Sequence, residues 1–530
     1  MKKILFYTLF FGMFLSSKAQ LNFGISLEET SINNLYGVQS FASGQLNGEW
    51  FIFGGRTDGL HQRQPFAAFA ASDNHSNILR IDPKAGTFST ASISNLPTTL
   101  KEQMESTNMN FHQVGDNVYL IGGFGYSATA GGHVTYDLLT VINLPTLANL
   151  MDNNQDISSA FSYMQDSKMT VTGGYLHHIN DTFYLVGGQE FQGSYNPMGP
   201  THGPGFFQQY TEEIRKFQVI NPTTNPTLSN YHAIIDTDYL HRRDYNVGAQ
   251  IFPDGTRGFT AFSGVFQKTV DLPWEDGVDI TENGYKHRAD FSQKLSNYHS
   301  AKLPIYDSTN TDMHTLFFGG IAQYFFQNGN LTSDPNVPFV KTISVITRDK
   351  NNDFTEQALS IEMPGYLGAS AEFFPLEENH FDQQDILHLD KLPDTKTLVG
   401  YIFGGIESTG PNIFFSNTGT QSGATNKIFK VYLDKSLSTS VKSVPKENSL
   451  KIIAGLDIEK QVLKVFAQGF DETKLNLEIF NMKGNLVYQT KARFNNDNSV
   501  EVKLEEIDCK MGVIRVSSEE QSSSTKMMFR

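Results

Sequence analysis

Small groups of amides, arginines, an acid, a histidine and tyrosines recur along the middle of this 530-residue chain. The richest is Arg242-Arg243-Asp244-Tyr245-Asn246; its companions are Gln39 after Tyr36-Gly-Val, Asn108-Met-Asn110, Thr170-Val-Thr172, Asn297-Tyr298-His299 and Tyr366. Planar amides and guanidinium groups satisfy paired oxygens, while tyrosine faces stack on apolar ring surfaces, so the mixture suits sugar hydroxyls or carboxylates. The same groups would serve equally as hydrogen-bond partners for water and neighbouring backbone in a polar channel. The candidate ligand-binding residues are Gln39, Asn108, Asn110, Arg242, Arg243, Asp244, Tyr245, Asn297, His299 and Tyr366. No catalytic residue is assigned.

Metal chemistry has thinner support. Asp276, Asp279 and Glu282 could offer oxygens to Ca²⁺, but their spacing is not that of a helix-loop-helix calcium loop, and a solvated acidic loop is expected instead. His177 and His178 alternate across a strand and so point to opposite faces. One cysteine, Cys509, excludes an intrachain disulfide and a Cys-based zinc cluster. Neither a metal nor a cofactor is expected.

The elements that must position these groups repeat. An apolar strand ending in two small residues occurs six times: Trp50-Phe-Ile-Phe-Gly-Gly55, Tyr119-Leu-Ile-Gly-Gly123, Tyr184-Leu-Val-Gly-Gly188, Thr260-Ala-Phe-Ser-Gly264, Leu316-Phe-Phe-Gly-Gly320 and Tyr401-Ile-Phe-Gly-Gly405. Repetition on this scale marks a repeat architecture, with the variable spacing placed in loops. Upstream of each copy lies a strand and a turn, as in Gln250-Ile-Phe-Pro-Asp-Gly255, which predicts a hairpin into the small-residue strand. Downstream come strands such as Asn77-Ile-Leu-Arg-Ile-Asp82 and Lys427-Ile-Phe-Lys-Val-Tyr432, and in most copies a fourth. Four antiparallel strands in each of six units, with no helix pattern between them, is an all-β propeller plan. The small pair lets adjacent sheets approach near the axis; it is no phosphate cradle, because a strand follows where a helix would be needed. The sixth unit is one strand short, and the N-terminal Asn22-Phe-Gly-Ile-Ser-Leu-Glu-Glu-Thr30 is a spare strand predicted to complete it. The long insertions, at 56–76, 124–133, 189–211, 266–289, 322–338 and 407–425, fall on one face, where long loops on a rigid scaffold usually bind something.

Over about residues 35 to 434 the chain resembles the kelch family, whose repeats carry this strand-plus-Gly-Gly signature. The resemblance implies a six-bladed kelch-like β-propeller. It leaves three functions open: binding of a glycan or protein partner by the loop-rich face, a sugar-processing enzyme such as a sialate epimerase or mutarotase-like kelch protein, and a surface scaffold with no small ligand. In the enzyme case Arg242, Arg243, Asp244 and His299 would hold a carboxylate and move a proton. Galactose-oxidase-like chemistry is excluded, since its tyrosine-bonded cysteine has no counterpart in the repeat region.

The two ends are different in kind. Met1-Lys2-Lys3, an apolar run from Ile4 to Leu15 and Ser17-Lys18-Ala19 form a signal-peptide pattern, with cleavage expected before Gln20. The run is too short to span a membrane. After Asp434 a Ser- and Lys-rich stretch, 435–449, is expected to be a linker. Beyond it five short alternating strands predict a small C-terminal β-sandwich, 450–530. Its "LEIFNMKGNLVYQT" (477–490) and "MGVIRVSSEEQSSSTKMMFR" (511–530) resemble the C-terminal sorting domain of proteins exported by the type IX secretion system of the Bacteroidetes. That resemblance implies the type IX secretion machinery as a partner and a secreted or outer cell-surface location. The domains expected are thus 1–19 signal peptide, 20–434 propeller, 435–449 linker and 450–530 sorting domain. With 41 basic against 56 acidic residues, a formal charge of −15, the long-range field repels nucleic acid, which is not expected as a partner.

Overall fold

The computed structural model describes residues 20–62, 67–196, 205–376, 380–444, 451–457, 460–468, 474–493, 499–518 and 522–529. The signal-peptide pattern lies outside them. Two compact units divide between Val444 and Pro445.

The first unit is built around five four-stranded antiparallel sheets and one seven-stranded sheet with a four-stranded antiparallel core. The first contains Ala42–Leu46, Glu49–Phe53, Asn77–Asp82 and Thr87–Ser92; the second Asn110–Val114, Asn117–Ile121, Leu138–Asn143 and Phe161–Gln165. The third contains Tyr175–Ile179, Thr182–Val186, Glu213–Ile220 and Thr227–Ile235; the fourth Asn246–Ile251, Arg257–Phe262, Gly277–Thr281 and Gly284–His287. The fifth core is Ala301–Asp307, Asp312–Phe318, Thr342–Arg348 and Phe354–Glu362. The sixth joins Glu372–Pro375, Thr397–Phe403 and Ile428–Asp434 to the N-terminal Gly24–Thr30, which pairs antiparallel with Ile428–Asp434 from Gly24↔Asp434 to Thr30↔Ile428. The spare N-terminal strand therefore completes the sixth sheet as expected.

Each small-residue strand is the second of its sheet and reads as a continuous apolar run because both its faces are covered. Alternation sends successive side chains to different neighbours. Phe51 and Phe53 pack with Val118 and Leu120 of the second sheet, whereas Trp50 and Ile52 pack with Phe374, Tyr401 and Phe403 of the sixth. The Trp50 ring stacks on Phe374 at 4.4 Å. The same layering joins the second sheet to the third through Tyr119, Ile121, Leu176 and Leu185. It joins the third to the fourth through Tyr184, Val186, Val247 and Phe259, the fourth to the fifth through Phe262 and Phe317, and the fifth to the sixth through Leu316, Val345, Ile402 and Val431. Face-to-face packing thus runs from sheet to sheet and returns to its start, although no sheet closes on itself.

Three expectations are corrected. Two short helices, Thr98–Met104 and Leu144–Asp152, interrupt the strands; Leu100, Met104, Leu144 and Leu147 bury an apolar stripe between the first and second sheets. The expected linker at 435–449 begins as structure: Thr439–Ser443 pairs with Phe354–Glu362 and with Gln20–Leu21 on the outer edge of the fifth sheet. The acidic stretch around Asp276 is not a solvated loop. Gly277–Thr281 is a strand, and buried Asp279 receives Arg348 at 2.6 and 3.0 Å and Arg288 at 3.1 Å. Asp276 holds Arg242 and His287.

The second unit pairs a three-stranded sheet, Lys451–Asp457, Val462–Gln468 and Ser499–Lys503, with a four-stranded one, Lys474–Asn481, Leu486–Arg493, Met511–Ser517 and Ser522–Met528. Leu463, Val465, Leu477, Ile479, Val502, Ile514 and Val516 form its core. All five expected strands are present; the first and last had escaped the alternation count. No helix among the described residues is long and apolar enough to cross a membrane.

Candidate functional site

The lead-in to the first strand of every sheet ends in a residue pair on one cavity. These are Gln39-Ser40, Thr107-Asn108, Thr172-Gly173, Arg243-Asp244, Tyr298-His299 and Ala369-Ser370, and all twelve residues line a cavity of about 830 Å³. The second residue of each pair has left-handed backbone: Ser40 (φ 52°), Asn108 (53°), Gly173 (64°), Asp244 (47°), His299 (52°) and Ser370 (59°). That conformation turns the main chain of each lead-in toward the next. The Asn108 N–H donates to Ser40 at 3.0 Å, Gly173 to Asn108 at 3.2 Å, Asp244 to Gly173 at 2.8 Å, Ser370 to His299 at 2.5 Å and Ser40 to Ser370 at 3.3 Å. The result is a main-chain belt forming the cavity floor.

The small-residue pairs make the belt possible. A Cβ built on Gly122 would lie 1.8 Å from the Val171 carbonyl oxygen, and one on Gly319 would lie 2.0 Å from that of Leu367. In the five Gly-Gly pairs the second glycine then donates its N–H to the same carbonyl, as Gly123 does to Val171 at 3.1 Å and Gly320 to Leu367 at 2.9 Å.

The walls are aromatic. Phe69, Tyr195, Phe206, Tyr210, Phe266, Phe339 and Phe414 all line the cavity. His61 stands among them, 5.3 Å from the Phe69 ring, 4.5 Å from Tyr195 and 5.6 Å from Phe414. Burial, with Arg243 and Arg56 nearby, pushes its pKa down to about 4, so at neutral pH it is an uncharged wall. Tyr210 accepts from Arg243 Nε at 3.2 Å and from the Phe266 N–H at 3.1 Å, and its ring stacks on His241 at 3.8 Å.

Five of the ten expected residues line this cavity: Gln39, Asn108, Arg243, Asp244 and His299. Arg243 pairs with the Asp244 carboxylate and lies over the Phe266 ring. His299 Nδ1 is 3.2 Å from the Ser370 hydroxyl, and burial lowers its pKa although Asp244 opposes this. The Asn108 Oδ1 is buried without a partner.

The other five serve the scaffold. Asn110 donates to the Ile121 and Val171 carbonyls, both at 3.1 Å. Arg242 is fully buried, donating to the Tyr239 and Ser263 carbonyls and to Asp276. Tyr245 donates to the Val186 carbonyl, and Asn297 to those of Gly319 and Thr342. Tyr366 begins a short strand three residues ahead of the Ala369-Ser370 pair, with Lys341 Nζ 5.0 Å above its ring. Both arginines precede the first strand of the fourth sheet: Arg242 turns inward onto the Tyr239 and Ser263 carbonyls and Asp276, while Arg243, bridged through its main chain to Val265, lines the cavity.

The aromatic walls were not singled out residue by residue, although all of them but Phe339 sit in the long insertions. The hairpin Gln189–Gly193 with Phe206–Tyr210 carries Phe206 and Tyr210; a run such as Gly205-Phe-Phe-Gln-Gln-Tyr210 in a loop was the available signal. His112 contacts both His177 and His178, at 5.1 and 6.2 Å between rings. Even so, no group of three metal-ligating side chains is assembled among the described residues.

No protein-family model and no curated protein matches the chain. Among solved structures it is similar to the one described as the structure of YjhT, with a TM-score of 0.40 and 11% identity over 76% of this chain and 99% of that one.

Proposed function

We propose that the first unit is a six-bladed kelch-like propeller whose loop-rich face binds a glycan. The observation that carries this reading is the cavity itself, a concave space with a polar floor drawn from six sheets and aromatic walls drawn from the long loops. Aromatic faces take the apolar side of a sugar ring, and the amide, guanidinium and carboxylate groups beneath take its hydroxyls. The cyclic order of sheet packing supports the propeller reading, with the N-terminal strand in the sixth blade. The enzyme alternative asked Arg242, Arg243, Asp244 and His299 to converge; with Arg242 withdrawn into the core, binding is the better-supported function. We further propose that the N-terminal segment directs export and that the C-terminal sandwich is a type IX sorting domain, which would place the protein outside the cell.

A glycan-array screen of the full chain beside an Arg243→Ala variant tests the binding reading. Wild-type binding that the variant loses is the expected result. Binding to no glycan would overturn it in favour of a protein partner or a scaffold.

A further inference from the structure

The six sheet junctions are not equivalent. At five of them two main-chain hydrogen bonds cross: the second small residue donates to the next lead-in, as Gly55 does to Ser106 at 2.8 Å, Gly188 to Arg242 at 2.9 Å and Gly405 to Val38 at 2.9 Å, and the belt bond lies beside it. Between the fourth and fifth sheets neither is formed among the described residues. Here the first small residue is Ser263, not glycine, and its Oγ is spent on the Trp274 carbonyl at 2.7 Å. Gly264 donates to no lead-in carbonyl, and the His299 N–H does not meet the Asp244 carbonyl.

Side chains hold this junction instead. Asn246 donates to the Asn297 carbonyl at 2.7 Å and accepts from the Ser300 N–H at 3.0 Å. Deeper between the sheets, Arg348 reaches from the fifth sheet to Asp279 of the fourth. The junction is therefore stable while open at the floor. The opening falls where Arg243, Asp244, Tyr298 and His299 line the cavity. An N–H and a C=O paired at the other junctions are left for another partner, and polar groups away from bulk water demand one.

We propose that this open junction is the principal polar subsite of the cavity, and that it takes the uncharged, hydroxylated end of a glycan. The proposal rests on the glycan reading and specifies its ligand. A hydroxyl both donates and accepts, so adjacent hydroxyls match the Arg243 and His299 donors and the Asp244 acceptors together. A carboxylate only accepts, and it would meet the Asp244 carboxylate after Arg243 has been neutralised by that same group. Neutral His61 adds no cation, and Arg56 and Lys268, which also line the cavity, are paired with Asp58 and Asp238.

The test is calorimetric titration of the full chain with a neutral hexose-terminated trisaccharide and with its counterpart ending in a uronic acid. The variants are Asp244→Asn, His299→Asn and Phe414→Ala. Asparagine tolerates the left-handed backbone at 244 and 299, so the first two preserve the belt. The neutral sugar is expected to bind at least tenfold tighter than the acidic one. Asp244→Asn should weaken it roughly 10- to 100-fold, the range for a hydrogen bond to a charged group. Equal binding by Asp244→Asn and His299→Asn with loss in Phe414→Ala would overturn the subsite while leaving the cavity reading intact. Preference for the acidic sugar would also overturn it. Binding of neither sugar by the wild type would overturn both readings.

Discussion

Replacing Gly122 by alanine isolates the contact that lets neighbouring sheets meet. The residue sits at φ 67°, and an added Cβ would lie 1.8 Å from the Val171 oxygen, 2.9 Å from its carbonyl carbon and 3.1 Å from the Met169 oxygen. Left-handed backbone costs an alanine about 1–2 kcal/mol relative to glycine. Moving the third-sheet lead-in away adds the roughly 1–3 kcal/mol of an overpacked contact. It also endangers the Gly123 and Asn110 bonds to the Val171 carbonyl, each about 1 kcal/mol. The total is about 4–7 kcal/mol. Gly115 supplies the control, since it has similar backbone (φ 55°) and nothing within 4 Å of an added Cβ. Gly115→Ala should cost only the backbone part, about 1–2 kcal/mol. Both tryptophans, Trp50 and Trp274, belong to the first unit, so their fluorescence follows its unfolding separately from the second. Urea titrations compared at equal slope give the difference. If Gly122→Ala and Gly115→Ala fall within about 0.5 kcal/mol of each other, the close-approach argument fails.

Asp279→Ala would leave Arg348 and Arg288 buried beside an empty position, and a loss of about 3–5 kcal/mol is expected by the same fluorescence titration. Deleting residues 21–31 should lower the melting temperature by many degrees, because it removes the outer strand of the sixth sheet together with buried Leu21, Phe23 and Ile25. Stability should also fall on acidification. His75 and His314 are almost fully buried and burial pushes both down to about 4, while buried His177 is held well below its ordinary value for the same reason. Between pH 6.5 and about 4 the unfolded chain binds protons at these sites that the folded chain refuses. Each therefore withdraws about 1.4 kcal/mol per pH unit as pH falls. Burial pushes the Glu356 carboxyl up to about 8 and that of Asp385 up to about 6, which works in the opposite direction, but these are two groups against five, since burial also holds His61 down to about 4 and His112 down to about 3. Urea midpoints at pH 7 and pH 5 check the sign.

The repeat was legible because a strand covered on both faces must be apolar throughout and must end in residues small enough for the next sheet's backbone. That requirement wrote the same five or six letters at six places. The N-terminal strand was legible by subtraction, the sixth unit being one strand short. Site residues were harder to read, since period-2 alternation decides which of two adjacent polar residues faces the cavity. Arg242 and Arg243 look equivalent in sequence, and only the path of the lead-in ahead of Asn246 separates a core ion pair from a cavity-floor donor. Tyr366 was misplaced because a bulged pairing with Ile406 and Ser408 shifts the sixth lead-in by three residues. Thr439–Ser443 resembles a linker because an edge strand with one exposed face needs few apolar residues. The helices at 98 and 144 are two turns or so, too short for a clear helical period. Ser263 was visible as the one departure from the Gly-Gly pattern, but its meaning needed the main-chain bonds of the other five junctions for comparison.

A crystal structure of the full chain soaked with the tightest array ligand would show where a sugar binds. A sugar ring is expected within the cavity, stacked against the aromatic walls near Tyr195 and Phe414, with its hydroxyls on Asp244 and His299 at the open fourth-to-fifth junction. Ligand bound on an outer strand or on the C-terminal sandwich, with the cavity holding only water, would contradict that placement.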